Sequence, residues 1–426
     1  MKKFSILCLA FIYSGSMLFA QTAEKTIKVI VENPWKTAKT DEPVVIDIHS
    51  LNTGFTVKSA VVKEGNNEIP SQLDDLNFDL RADELAFVTN LPAQSKKVFT
   101  LTLSSAKTNK TYPARVFAEM LFRTAKSNEY AHGTAVYAPG DSYTYTILQH
   151  HGIAFESELV AYRIYFNEKQ TTDLYGKFNK GLEIEESMFY PTDEQLQKGF
   201  GDDVILVRGS CGAGTLRGWD GSQATDIQPV AFRGQRLIAS GPVRTIADAE
   251  VKGWEYQGKE LNMINRYTLY AGHRDAQVDV LFDQPLDKET FCTGVQNIGY
   301  SATMYSDHEG LVASWGTDWP VGDTIKYKKE TVGLATYIPK KYIRKEAKDK
   351  ENFLYTVSAP QEKCFRYYTM FTSRKETFGF PDSQTWFSYA QEWKKSLEQP
   401  CKITIAKVII KKQPRTNCER LFMITK

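Results

Sequence analysis

Residues 98–103 (VFTLTL) and 277–282 (QVDVLF) alternate apolar and polar side chains along the chain. In the first segment Phe99, Leu101 and Leu103 fall on one face, as in a β-strand with one buried side. Similar segments recur throughout and are separated by turn sequences rich in glycine, asparagine and aspartate. The pattern predicts a mostly β protein built from antiparallel sandwiches.

Only two segments have a convincing helical period. They are residues 191–198 (PTDEQLQK) and residues 383–397 (SQTWFSYAQEWKKSL), and the second places Trp386, Tyr389, Ala390 and Trp393 at helical spacing. We therefore expect short helices at these two places within an otherwise β fold.

A polar stretch at 104–113 (SSAKTNKTYP) predicts a domain boundary. Residues 21–107 are long enough for a small N-terminal β-sandwich. Residues 112–406 are predicted to form a large antiparallel β-sandwich of the supersandwich kind, like mutarotases and lyases, and to carry the catalytic site. Residues 407–426 form a predicted basic C-terminal tail.

Residues 1–20 have the layout of a cleavable signal peptide. Lys2 and Lys3 precede an uncharged, largely apolar run, and Ala20 offers a small residue for cleavage. The apolar run is too short for a membrane-spanning helix. We expect a protein exported to the periplasm or secreted, with no membrane partner.

The overall charge and the cysteines exclude several classes of protein. The chain has 53 Lys and Arg against 51 Asp and Glu, so no strong positive field favours a nucleic-acid partner. The five cysteines after the signal peptide are too dispersed for a disulfide framework or a zinc site. They are Cys211, Cys292, Cys364, Cys401 and Cys418. Most are predicted to be small buried apolar residues, and nothing in the sequence specifies an oligomeric state.

The densest polar and aromatic segment is 149–177 (QHHGIAFESELVAYRIYFNEKQTTDLYGK). In a strand, Arg163 and Tyr165 lie on one face and Tyr162 on the other. Arginine binds a carboxylate through two parallel hydrogen bonds, and a nearby tyrosine or histidine can transfer a proton. This favours a site for an acidic sugar. The alternative is a structural ion pair between Arg163 and Glu156 or Glu158.

A second segment, 199–221 (GFGDDVILVRGSCGAGTLRGWDG), is rich in glycine. Its spacing matches neither a phosphate-binding loop nor a dinucleotide-binding turn, and Ser210 lacks the strand–turn–helix context of a nucleophile. Arg217 and Trp219 are instead predicted to form a rim on which a sugar stacks.

The candidate site residues follow from these two segments and the loop before them. The predicted catalytic residues are His150, His151, Arg163 and Tyr165. The predicted substrate contacts are His132, Glu156, Glu158, Tyr162, Lys177, Arg217 and Trp219. We expect no cofactor, and a divalent metal at the His150–His151 segment remains the open alternative.

Three runs carry a family resemblance: residues 33–48 (NPWKTAKTDEPVVIDI), 150–177 and 199–221. They resemble a family of exported bacterial proteins, domain of unknown function family 4861. Members occur in polysaccharide-degradation gene clusters, and some are fused to unsaturated rhamnogalacturonyl or glucuronyl hydrolases. The resemblance implies an oligosaccharide dehydratase that acts on fragments of ulvan, pectin or a similar uronic-acid polysaccharide. It would remove water from the non-reducing-end uronic acid and leave a 4,5-unsaturated end.

That chemistry requires three groups. Arg163 or another arginine would neutralise the uronate carboxylate, while the base and the acid would come from His150, His151, Tyr162 and Tyr165. The alternatives are a polysaccharide lyase, a glycoside hydrolase using Glu156 or Glu158, and a non-catalytic carbohydrate-binding protein.

Overall fold

The computed structural model describes residues 22–124 and 129–406. The predicted signal peptide (1–20), the predicted tail (407–426) and Cys418 lie outside the described residues.

Seven strands precede the polar stretch at 104–113. They are β1 (Glu24–Asn33), β2 (Lys39–Asp47), β3 (Ser59–Glu64), β4 (Asn67–Ile69), β5 (Ser71–Asp74), β6 (Glu84–Leu91) and β7 (Ser95–Ser104).

The strands of the larger part follow in chain order and are given in two sets. The first set is β8 (Val116–Glu119), β9 (Leu121–Arg123), β10 (Tyr130–His132), β11 (Ala135–Pro139), β12 (Gly152–Ser157), β13 (Ala161–Tyr165), β14 (Thr172–Gly176), β15 (Asp202–Asp203), β16 (Arg217–Trp219), β17 (Ala224–Thr225) and β18 (Phe232–Ser240). The second set is β19 (Arg244–Tyr256), β20 (Lys259–Tyr270), β21 (Asp275–Phe282), β22 (Phe291–Gln296), β23 (Thr303–Ser306), β24 (Leu311–Asp318), β25 (Glu330–Tyr337), β26 (Ile343–Lys348), β27 (Asn352–Val357), β28 (Cys364–Ser373) and β29 (Lys402–Ala406).

Three α-helices interrupt the strands of the described residues: α1 (Ile184–Ser187), α2 (Asp193–Gln197) and α3 (Ser383–Leu397). Both helices predicted from the sequence are confirmed. Helix α3 begins after Asp382, whose side chain accepts a hydrogen bond from the Thr385 N–H and so caps the helix. No helix in residues 22–124 and 129–406 is long and apolar enough to cross a membrane.

The N-terminal strands form two sheets around one apolar core. The five-stranded sheet has the order β29-β1-β7-β3-β4, and the three-stranded sheet has the order β2-β6-β5. The alternation seen in the sequence is confirmed, because Phe99, Leu101 and Leu103 are fully buried between these sheets. The edge strand β29 comes from residues 402–406, which fall within the predicted limits of the larger sandwich. The domain limits given from the sequence stay a prediction.

The larger part has two layers. One is a nine-stranded sheet of order β11-β18-β19-β20-β21-β28-β25-β24-β23. The other consists of two five-stranded sheets, β15-β14-β13-β12-β8 (the site sheet) and β17-β16-β22-β27-β26. Side chains of both layers meet in one core, where the Phe155 ring lies 6.2 Å from that of Tyr267. The mostly β, antiparallel sandwich prediction is therefore confirmed.

Candidate functional site

The outer face of the site sheet, which points away from the core, carries two rows of aligned side chains. The strand register places Glu119, Ala154, Arg163 and Asp173 opposite one another on β8, β12, β13 and β14. The next row is Phe117, Glu156, Ala161, Tyr175 and Asp203. Because residues two apart on a strand share a face, four carboxylates and one arginine collect on this surface.

Arg163 is at the centre of the first row and is almost completely buried. Its Nε donates to Asp173 at 2.8 Å, and its Nη2 donates to Asp173 at 2.5 Å and to Asp203 at 3.2 Å. The Tyr165 hydroxyl donates to the same Asp173 carboxylate at 2.5 Å. Burial and the adjacent Asp173 raise the pKa of Asp203, an effect that Arg163 opposes. This network forms the charged floor of the site.

Segment 181–190 covers part of that floor, and a buried ion pair holds it there. The Lys177 ammonium contacts the Glu156 carboxylate and donates to the Gly181 carbonyl. Glu156 also accepts the N–H groups of Glu183 at 2.9 Å and of Ile184 at 2.8 Å. Glu156 and Lys177, both predicted substrate contacts, therefore hold segment 181–190 in place over the floor of the site.

The end of the covering segment presents two aromatic rings to Arg163. The guanidinium carbon lies 4.4 Å from the ring centre of Phe189 and 5.3 Å from that of Tyr190. Arg163 Nη1 donates to the Tyr190 hydroxyl oxygen at 2.7 Å. The Tyr190 side chain remains 39% exposed, so its hydroxyl lies where the buried floor meets solvent.

His150 and Glu119 form a second polar pair on the same face. Nε2 of His150 lies 2.8 Å from Oε1 of Glu119, and both side chains are buried. Burial raises the pKa of Glu119 to about 7. Burial, with the positive charges of Arg163 and Arg123, lowers the pKa of His150 to about 3. His150 is therefore neutral at neutral pH.

His151 and Arg123 form the exposed rim. The half-buried His151 ring lies 6.2 Å from the Tyr165 ring and 6.5 Å from the Tyr190 ring, centre to centre. Arg123 is exposed and donates from Nε to the Gln149 side chain at 3.0 Å. His132, on β10, acts electrostatically on Glu119. The structure thus brings together His132, His150, His151, Arg163 and Tyr165.

The local backbone explains the position of the two histidines. His151 has a left-handed conformation with φ 56° and leads into Gly152, the first residue of β12. A Cβ atom on Gly152 would lie 1.7 Å from the Ile164 carbonyl oxygen, so only glycine fits there. The chain can therefore turn sharply and direct His150 inward while His151 stays at the surface.

Four other predicted site residues lie elsewhere. Tyr162 points into the core and donates to the Arg274 carbonyl at 2.6 Å. Glu158 accepts from Arg115 at 2.5 Å and from the Gly272 N–H at 2.7 Å. Arg217 is buried and binds Asp226 at 2.7 Å. Trp219 packs in a separate apolar cluster with two buried cysteines.

Sequence reasoning missed five residues of the site: Glu119, Arg123, Asp173, Tyr190 and Asp203. A signal existed for Asp173, because pairing the strands around residues 161–165 and 172–176 aligns it with Arg163. No periodic signal marks Tyr190, which lies in an irregular segment. Among the described residues, no group of three or more His, Cys, Asp and Glu side chains is arranged to hold a metal ion.

The raised pKa of Glu119 predicts a pH-dependent contribution to stability. Its carboxyl group titrates near 4.5 when unfolded and near 7 when folded, so the folded state retains a proton that the unfolded state loses. The stabilisation is complete below about pH 4.5 and is lost as the pH rises through about 7. We expect the free energy of unfolding, relative to Glu119→Gln, to fall over this range in urea titrations. A stability difference between the wild type and Glu119→Gln that stays constant with pH would contradict this buried environment for Glu119.

Comparisons with known proteins place the chain in a family. Its residues 31–403 match the family described as a domain of unknown function, DUF4861. No curated protein matches the chain in sequence. A solved protein in glycosyl hydrolase family 38 from Enterococcus faecalis is similar at 9% identity and a TM-score of 0.44, covering 89% of this chain and 47% of that one.

An alpha-mannosidase from Enterococcus faecalis V583 is similar at 10% identity and a TM-score of 0.41, covering 89% of this chain and 46% of that chain. The chain therefore spans about half the length of both solved structures. The family match extends across both β-rich parts of the fold, from β1 to β29. The chain belongs to the DUF4861 family of domains of unknown function.

Proposed function

We propose that this protein is an oligosaccharide dehydratase, which removes water from the uronic acid at the non-reducing end of fragments of ulvan or a similar polysaccharide. The observation that carries the proposal is the rim of the site sheet, where His151 and Tyr190 lie together above a buried charge network and Arg123 is held next to it by Gln149. The reaction is proposed to take place after export, in the periplasm or outside the cell. No cofactor is part of the proposal.

Arg123 would bind the uronate carboxylate. Its guanidinium is exposed and anchored through Gln149, whereas that of Arg163 is occupied by Asp173, Asp203 and Tyr190. The C5 proton next to a carboxylate is only weakly acidic. A cation on that carboxylate stabilises the negative charge that develops when the proton leaves. Arg163 then acts as a positioning residue beneath the site.

His151 would take the C5 proton. A neutral imidazole nitrogen can accept a proton. The C5–H bond breaks, its electron pair forms the C4–C5 double bond, and the C4–O bond breaks. The leaving hydroxyl needs a proton to depart as water.

Tyr190 would supply that proton. Its oxygen accepts a hydrogen bond from Arg163, so its own O–H remains available to a ligand at the rim. Burial raises the pKa of Tyr190, which keeps the phenol protonated at neutral pH, while Arg163 stabilises the phenolate formed on proton transfer. The proton held by His151 returns to Tyr190 through solvent, which closes the cycle.

Tyr190→Phe tests this role. The substitution removes the acid and should lower kcat by about 10²-fold, at the low end for general acid catalysis because solvent water has access to the rim. It also removes a hydrogen bond to a charged group, which should lower the free energy of unfolding by about 1.5 kcal/mol. Turnover assays and urea denaturation measure the two effects. Tyr300→Phe, which removes an exposed hydrogen bond to Glu351, is the control and should change neither.

The function itself is tested on defined oligosaccharides that end in an intact uronic acid, taken from ulvan, pectin and glycosaminoglycans. New short-wavelength ultraviolet absorbance, from the double bond conjugated with the carboxylate, with an unchanged chain length is the expected result. A shorter chain with new absorbance would identify a lyase instead, and a shorter chain without it a hydrolase. If the protein binds the oligosaccharides but changes none of them, the proposed enzymatic activity is wrong and the protein is a carbohydrate-binding protein.

A further inference from the structure

A large cleft lies on the opposite side of the sandwich from the rim. Its walls are β2 and β6 of the N-terminal part, the outer face of the nine-stranded sheet, and the end of α3, and its volume is about 660 Å³. On β20, Tyr267 and Leu269 point into the core, so Thr268 and Tyr270 point outward into the cleft. Clefts of this size between layers accommodate small-molecule ligands.

Aromatic rings and arginines line this cleft, which we call the back cleft. The rings belong to Tyr270, Tyr368 and Trp393. The arginines are each paired with a carboxylate: Arg244 with Asp74 at 2.7 Å, Arg266 with Asp248 at 2.8 Å, and Arg366 with Asp279 at 2.6 Å. The lining is therefore polar, but its charges are largely neutralised within the protein.

The indole of Trp393 lines the back cleft. The Trp393 side chain is only 8% exposed, yet its buried indole N–H makes no hydrogen bond within 3.5 Å. Burial raises the pKa of the neighbouring Asp275 carboxyl, but His273 and, to a smaller extent, the Trp393 N–H lower it, so this N–H interacts with Asp275 inside the protein. A ligand hydroxyl that accepts from this N–H would complete its hydrogen bonding.

We propose that the back cleft is a second, non-catalytic binding site for a short neutral oligosaccharide. Sugar rings present an apolar C–H face that stacks on the partly exposed Tyr368, and hydroxyl groups that suit a lining of paired donors and acceptors. The paired charges disfavour a strongly anionic ligand, so this site differs from the rim in the ligand it takes. Its occupation does not depend on the proposed dehydration.

A native cysteine reports on occupation of the back cleft. Cys364 is exposed and lines the cleft, whereas Cys211 and Cys292 are buried elsewhere. The experiment measures the rate at which maleimide labels Cys364, by peptide mass mapping, with cellotriose, mannotriose, xylotriose or trigalacturonate present. We expect at least one neutral trimer to slow labelling about tenfold, at low and at high salt, and Cys364→Ser to lose the labelled peptide.

Tyr368→Ala supplies the matched variant, because it removes a stacking surface and leaves the rim untouched. In this variant the neutral trimer should no longer slow labelling of Cys364. If the variant does not fold, Gln277→Trp fills the same cleft and should also abolish the protection. If none of the four sugars slows the labelling of Cys364, or if trigalacturonate alone slows it, the proposal is wrong, whether or not the protein is a dehydratase.

Discussion

Replacing His151 by asparagine should lower kcat by about 10²–10⁴-fold, the range for loss of a general base. The half-buried ring stands beside Tyr165 and Tyr190 at the rim, where the proposed C5 proton would be exposed to it. Asparagine is the appropriate substitution because it tolerates the left-handed backbone at this position, φ 56°, and so separates chemistry from backbone strain. Initial rates on a uronic-acid-terminated oligosaccharide measure the effect.

His308→Asn is the matched control for this experiment. His308 has almost the same backbone φ, 59°, and its Nδ1 lies 2.8 Å from Glu346. Its side chain is 79% exposed and lies outside the site sheet. This variant should keep full turnover. Near-normal turnover of His151→Asn itself would place the base on another residue.

Replacing Arg163 by alanine should lower the free energy of unfolding by about 3–5 kcal/mol, the cost of leaving a buried charge without its partner. The substitution leaves Asp173 and Asp203 facing each other on adjacent strands without the guanidinium that both accept from. It also releases Tyr190 from its hydrogen bond. Urea denaturation measures the loss, which should shrink as the pH falls, because protonation removes the buried negative charge.

Arg366→Ala is the control for Arg163. This arginine also pairs with an aspartate, Asp279, but its side chain is 49% exposed. An exposed ion pair contributes at most about 1 kcal/mol, so the control should be nearly as stable as the wild type. Equal, small losses in both variants would contradict a tightly coupled charge floor under the site.

Strand alternation predicted more of the site than residue type did. It placed Tyr162 and Arg163 on opposite faces, and the structure confirms this, with Tyr162 in the core and Arg163 on the outer face. The bounds of helix α3 also agree with the helical period of residues 383–397. These features depend on local spacing, which a single sequence contains.

The partners of Arg163 depend on long-range contacts that local spacing does not encode. The sequence-based alternative paired Arg163 with Glu156 or Glu158, whereas the structure pairs it with Asp173 and Asp203. Glu156 is instead neutralised by Lys177, and Glu158 by Arg115. Each pairing follows from strand register and from how segment 181–190 folds back, neither of which has a periodic signature.

The pairing of the last described strand with the first also depends on long-range contacts. Residues 402–406 fall within the predicted limits of the larger sandwich, but β29 pairs with β1, with Lys28 opposite Ala406 and Glu32 opposite Lys402. Pairing between strands so far apart in sequence is set by the packing of the complete fold. The small N-terminal sandwich is therefore completed by residues from the other end of the described chain.

The mass of the product tests the proposed dehydration most directly. A purified tetrasaccharide with an intact uronic acid at its non-reducing end is incubated with the protein and analysed by mass spectrometry. We expect one product, lighter than the substrate by the mass of one water molecule and with all four sugar units joined. Fragments shorter than the tetrasaccharide, or an unchanged mass with every uronic-acid end supplied, would contradict it.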